Sequence, residues 1–155
     1  MNCLLTGGTG IVGSHIIFEW IQKALVDKTV EHLFVVIRDN EKSAKQRLLD
    51  ILQDKSRPIF LNNFSLKACL EKITVISNDL STIKKDDLNK YHFETVIHCA
   101  GSTSLMNTSD SKEKVHTQNY LVTKQLLEQL PLSVTRFIYI STAYSFGIQD
   151  EKVND

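Results

Sequence analysis

Apolar residues along this chain cluster in short, nearly continuous runs separated by stretches with helical spacing. The runs are Asn2–Thr6, His32–Ile37, Ile73–Ser77, Glu94–His98 and Arg136–Ser141. They lack polar alternation, as strands do when both faces of their sheet are covered. Between them the apolar positions recur with a helical period. Helices are predicted from Ile11 to Val26, ended by Asp27-Lys28, and from Glu41 to Leu52, with Ala44, Leu48, Leu49 and Leu52 on the apolar side. Leu66 to Glu71 reads as one more helical turn, a short helix falls around Lys84 to Leu88, and a longer one runs from Lys112 to Leu130, stopped by Pro131. Pro58 to Phe64 reads as a connector, Ser102 to Ser111 as a serine- and threonine-rich loop, and Thr142 to Asp155 as loop.

The stretch Thr6-Gly7-Gly8-Thr9-Gly10-Ile11-Val12-Gly13 joins the first strand to the first helix. Strand, glycine-rich turn and helix form the context in which such a pattern binds a pyrophosphate. Gly7 turns the chain off the strand, Gly10 lets backbone N–H groups approach the phosphates, and Gly13 lets the helix lie close to the sheet. The anion rests on helix N–H groups that lack intrahelical partners. The alternation of strands and helices then predicts an α/β fold: a three-layer, Rossmann-like parallel sheet, strand order 3-2-1-4-5, with helices on both faces. Ligands bind such sheets beyond the carboxyl ends of the strands, and every polar cluster here follows a strand.

Composition narrows the class. A chain of 155 residues holds one core, read as a single dinucleotide-binding domain over 1–155. Eighteen basic residues balance eighteen acidic ones, which gives no bulk charge for a nucleic acid or an anionic membrane surface. No apolar run reaches the length of a membrane span, and Met1 is followed by a strand with no basic leader, so a signal peptide is not expected. Cys3, Cys69 and Cys99 are odd in number and lack metal-ligand spacing. They read as reduced thiols of a cytoplasmic protein, with Cys3 and Cys99 buried on strands.

The end of the second strand selects the dinucleotide. An acidic side chain there suits the ribose hydroxyls of NAD, a basic one the 2′-phosphate of NADP. Arg38 comes first and Asp39 second, so the reading favours NADP while Asp39 leaves NAD open; Arg38 paired with Asp39 or Glu41 on the surface is the alternative. Asp79-Leu80 after the third strand suits an adenine, the carboxylate accepting from the amino group and Leu80 covering the ring, but Asp79 as a simple turn cap fits equally. Ala100 and Gly101 are small, as a backbone beside a nicotinamide ribose requires. His98 reads as a satisfied core histidine.

In order, TGGTGIVG, VVIRD, NDL, IHCAG, QN in the long helix and ISTAY resemble the extended short-chain dehydrogenase/reductases. The similarity is greatest to the thioester-reductase and fatty acyl-CoA reductase branch, which includes the male-sterility-type proteins, through VIRDNEKSAKQRLLDIL and ISTAY. The resemblance covers essentially the whole chain. It implies that Thr142 is the catalytic Ser/Thr that hydrogen-bonds a substrate carbonyl and that Asn119 supports the active-site backbone and water. It implies a cofactor-binding set of Gly7, Thr9, Gly10, Ile11, Gly13, Arg38, Asp79, Leu80, Ala100, Gly101 and Ser141. NADP is the implied cofactor, with NAD possible, and an acyl thioester the implied substrate of the full-length protein.

In that family a Tyr and a Lys, spaced YxxxK, follow the Ser/Thr. Tyr120-Leu121-Val122-Thr123-Lys124 has this spacing but precedes Thr142, on the helix of Asn119, and is rejected as the catalytic pair. Tyr144 belongs to the STAY signature and needs no catalytic role. The chain is therefore expected to be the N-terminal part of a larger reductase, to bind dinucleotide weakly and to turn nothing over alone. An uncovered fifth-strand edge is expected to promote self-association. The alternatives are a non-catalytic nucleotide-binding module, or truncated pseudoenzyme, and an NAD-dependent nucleotide-sugar epimerase or dehydratase on the same scaffold.

Overall fold

The structure is a computed structural model that describes residues 1–102 and 108–141. Five strands, β1 (Asn2–Thr6), β2 (His32–Ile37), β3 (Ile73–Ser77), β4 (Thr95–His98) and β5 (Arg136–Tyr139), form a parallel sheet in the order β3-β2-β1-β4-β5. The expected topology holds. Thr6 at the end of β1 stands opposite Val36 on one side and His98 on the other.

Alternate residues of the inner strands feed two separate cores. Cys3, Leu5, Leu33, Val35 and Ile37 pack with Ile17 and Ile21 of α1 (Ile11–Gln22), Leu48 and Leu52 of α2 (Ala44–Gln53) and Cys69 of α3 (Leu66–Leu70). Leu4, Val36, Ile76 and Val96 pack on the other face with Phe93, Leu88 of α4 (Lys85–Leu88) and Leu126 of α6 (Val122–Gln129). Leu4 and Leu5 are both fully buried, each worth about 2 kcal/mol of apolar transfer. Burial on both faces is why the strands read as unbroken apolar runs.

The helix boundaries differ from the expected ones for local reasons. α1 stops at Gln22 and continues as a π-helical turn, Lys23–Asp27, which Lys28 closes in the left-handed region at φ 53°. α2 begins three residues late. The Ser43 hydroxyl accepts from Gln46 N–H at 3.2 Å, and the Asp39 carboxylate accepts from Ala44 N–H at 2.6 Å, so the first turn is pinned there. Within the connector, Ile59–Asn63 forms a 3₁₀ helix. The long helix starts inside the expected loop as α5 (Ser109–Val115) and passes through a π-helical turn, His116–Leu121, into α6. The sheet ladder of β5 ends at Tyr139, although Ile140 N–H still donates to His98 C=O at 2.9 Å.

β1 has β2 on one side and β4 on the other, so the chain leaves β1 and β4 towards opposite faces. That divergence opens a crevice above their carboxyl ends.

Candidate functional site

The crevice is a cavity of about 520 Å³. Gly7, Thr9 and Gly10 form one wall. Gly7 sits at φ 71°, and a Cβ there would lie 2.5 Å from Ala100 N and 2.6 Å from the Cys99 carbonyl carbon. Only glycine fits. A Cβ on Gly13 would fall into the Gly7 carbonyl, so the close packing of loop on helix depends on that position too. Gly10 faces open space apart from an ordinary 3.4 Å approach to Gly7 O. α1 begins with no side-chain cap and no acidic residue in its first turn, which leaves its N-terminal N–H groups for an anion. Ile11 is 83% exposed and does not line the cavity.

At the end of β2 the charges are arranged differently from either sequence alternative. Arg38 pairs with Asp79 at 3.8 Å, across to the end of β3, and not with Asp39 or Glu41. Asp39 is committed elsewhere: one oxygen takes the Ala44 N–H and the other accepts from Ser77 Oγ at 2.5 Å. These bonds, that from Ser77 foremost, hold its carboxyl below the usual carboxylate range. Asp39 does not line the cavity. Asp79 does, but one of its oxygens accepts from the Ser81 N–H at 2.8 Å and the Ser81 hydroxyl at 2.7 Å, which makes it a turn cap. Those two bonds, ahead of Arg38, lower its pKa. Leu80 lines the cavity beside it.

Arg47, which the sequence reading did not single out as a site residue, brings a second guanidinium to the same mouth. It donates to Arg38 C=O at 2.7 Å and to Thr9 Oγ1 at 3.0 Å, bridging the β2 end to the glycine loop. Its place on α2, one turn past the Ser43 cap, was the signal available.

At the end of β4, Cys99, Ala100 and Gly101 line the cavity. Cys3 is buried on β1 as expected, but Cys99 lies past β4 and is half-buried; burial raises both thiols, Cys3 to about 12. Asn119, on the π-helical turn, does not reach the cavity. Its amide grips the Ser102 backbone, accepting from N–H at 2.6 Å and donating to C=O at 3.0 Å. Thr117, Gln118 and Val122 from the same helix line the cavity instead. The π-helical turn on which Thr117, Gln118 and Asn119 sit carries no hydrophobic signature by which the sequence would show it. His98 is fully buried between Thr6 and Thr123, stacked on Tyr139 at 5.5 Å, and burial pushes it down to about 4, so it is neutral.

Ser141 is exposed and does not line the cavity. Thr142 and Tyr144 lie outside the described residues. Tyr120 packs against the His116 ring in a tilted arrangement, centroids 5.2 Å apart, and Lys124 pairs with Glu128 at 4.0 Å; neither lines the cavity. Among the described residues no group of side chains is arranged to hold a metal ion, and no helix is long and apolar enough to cross a membrane.

A model of an NAD-binding family described as male sterility protein matches residues 5–155. A UDP-glucose 4-epimerase of Klebsiella pneumoniae is 25% identical over 152 residues, 96% of this chain and 94% of that protein. Among solved structures, a variant UDP-glucuronic acid 4-epimerase from Bacillus cereus, in complex with NAD and a fluorinated UDP-glucuronic acid, superposes with a TM-score of 0.70 at 21% identity. It is covered over 44% of its length by all of this chain. A thiolation-reductase di-domain from an archaeal non-ribosomal peptide synthetase gives a TM-score of 0.65 at 22% identity, over 94% of this chain and 36% of the other. The chain thus spans less than half of either solved protein.

Proposed function

Since the chain belongs to the male sterility protein family of NAD-binding proteins, we propose that its cavity takes NADP and that it is the dinucleotide-binding domain of a reductase acting on acyl thioesters. The cavity suits a dinucleotide. Gly10 leaves room where the pyrophosphate passes, and the bare start of α1 supplies N–H donors and the positive end of a helix dipole. The observation that carries the choice of NADP is the pair of guanidiniums, Arg38 and Arg47, at one mouth of the cavity with Asp39 turned away. A monophosphate on the adenosine ribose would meet charge-assisted donors there, where a bare ribose hydroxyl would meet no free carboxylate.

When bound, the cofactor supplies the hydride. The chain's own part is to bind and orient. Ala100 and Gly101 offer a small backbone surface beside the dinucleotide, and Asn119 holds the next peptide, that of Ser102, by two hydrogen bonds. Thr142, which follows β5 in the sequence, is proposed to donate a hydrogen bond to the thioester carbonyl. The acyl thioester, a following substrate domain and a cytoplasmic setting for the three unpaired cysteines belong to this same reading. So does self-association through the outer edge of β5.

Titrating the chain with NADPH and NADH tests it. NADPH is expected to bind at least about tenfold tighter, and Arg38→Ala or Arg47→Ala to remove most of that margin, as loss of a charge-assisted contact should. Equal affinities, or tighter NADH, would overturn the NADP assignment.

The epimerase relative, which matches nearly the whole chain at 25% identity, favours a second reading: an NAD-dependent enzyme acting on a nucleotide sugar. That reading requires NADH to bind tighter and a UDP-sugar to compete at the full-length protein. A nucleotide-binding module without catalysis would bind dinucleotide and carry no substrate.

A further inference from the structure

Four hydrogen bonds run in one direction beneath the cavity floor. The Ala100 N–H donates to Thr6 Oγ1 at 3.4 Å, and Thr6 Oγ1 meets His98 Nδ1 at 2.6 Å. His98 Nε2 meets Thr123 Oγ1 at 2.9 Å, and the Thr123 hydroxyl donates to Asn119 C=O at 2.6 Å. The proton positions follow from the two ends. Asn119 C=O can only accept, so the single Thr123 proton is committed to it and the Thr123 oxygen must accept from His98 Nε2–H. Nδ1 is then the acceptor for the Thr6 proton, which leaves the Thr6 oxygen to accept from Ala100. One tautomer satisfies every member, and a protonated ring would leave Thr6 facing a second donor.

We propose that His98 is a positioning residue for the dinucleotide site: its Nε2–H tautomer couples the β1–glycine-loop junction at Thr6 to the π-helical turn that carries Asn119, and so sets the Ala100–Ser102 backbone on which the ligand lies. Both ends of the relay act on that segment. Ala100 is held through Thr6, and Ser102 is held by the Asn119 amide, whose own backbone carbonyl is the last acceptor. Asn119 also limits the segment sterically, since its Oδ1 lies 3.1 Å from where a Cβ on Gly101 would be. The groups packed around the ring are Thr6 of β1, Thr123 of α6, and Phe137 and Tyr139 of β5, of which Tyr139 alone is titratable. The Thr6–His98 link is buried and the other three are part-buried, and because the His98 ring is itself fully buried, breaking either of its links strands a ring nitrogen away from water.

The inference rests on the cavity being a dinucleotide site, and the test separates the two. Thr123→Val keeps the side-chain shape and lies off the cavity lining. It breaks the relay at its far end without touching ligand. In the 155-residue chain, Thr123→Val is expected to raise the NADPH dissociation constant about fivefold, the effect of roughly one net hydrogen bond. ¹⁵N NMR is expected to show the Nε2–H tautomer of His98 in the wild type and a tautomer mixture in the variant, with the Ala100 and Ser102 amides shifted. Thr123→Ser, which restores the hydroxyl, is expected to restore affinity and spectrum. A folded Thr123→Val with wild-type affinity or unmoved Ala100 and Ser102 amides overturns the relay alone. A wild-type chain that binds no dinucleotide overturns the cofactor reading and the relay with it.

Discussion

His98 shows how one residue's setting differs from what its type suggests. In water it would titrate near 6.5; in the sheet, burial holds it neutral down to about 4. Between those two values the unfolded chain takes up a proton that the folded chain refuses. Stability is therefore full above pH 6.5, declines as pH falls, and levels off below about 4. The decline due to this residue amounts to roughly 3 kcal/mol. His32, lowered by burial and by Lys72, adds a slope of the same sign. Urea unfolding of wild type and His98→Gln at a series of pH values isolates the His98 share: the variant is expected to be less stable at pH 7 and to lose less on acidification. Arg38, Asp39 and Asp79 teach the complementary lesson. Their identities were readable in the chain, but which carboxylate met the guanidinium depended on the bonds that Ala44, Ser81 and Ser77 make to them, and Ser77 is a neighbour of Asp39 only in the fold.

At the scale of elements, the strands were legible and the helix ends were less so. β1, β2 and β3 have the bounds their apolar runs imply, because a strand buried on both faces tolerates no polar interior. Helix ends are set by single hydrogen bonds that composition does not reveal. The Ser43 cap starts α2 and, one turn later, presents Arg47 to Thr9 and Arg38. Ser43→Ala is expected to cost about 1 kcal/mol of stability, read from a denaturation midpoint. NADPH affinity should fall with it if the first turn frays. The π-helical turn His116–Leu121 is the other instance. On it Asn119 holds the Ser102 backbone while Thr117 and Gln118 line the cavity, and no 3.6-residue periodicity foretells the turn itself.

For the molecule as a whole, the sheet's two edges differ. Among the described residues β5 pairs with β4 alone, and Ile138, Tyr139 and Ile140 are 39%, 44% and 40% exposed. An apolar strand with an open ladder invites a second strand. Light scattering of the chain is expected to show dimers or larger species at micromolar concentration, and Ile138→Lys is expected to reduce them. A monodisperse monomer in the unaltered chain would defeat this expectation.

The sequence by itself determined the sheet, its strand order, the glycine-rich turn after β1 and the set of strand ends that border the cavity. Those follow from local periodicity and from backbone needs, such as the φ of Gly7 and the missing Cβ of Gly13, that single residues meet. Only the tertiary structure decided how the polar groups at those ends are shared. It paired Arg38 with Asp79, withdrew Asp39, brought in Arg47, and threaded Ala100, Thr6, His98, Thr123 and Asn119 into one chain of hydrogen bonds. The physical reason is range. Apolar burial acts through a pattern repeated along the chain, whereas a hydrogen bond or ion pair is fixed by a few tenths of an ångström between residues as many as 94 positions apart.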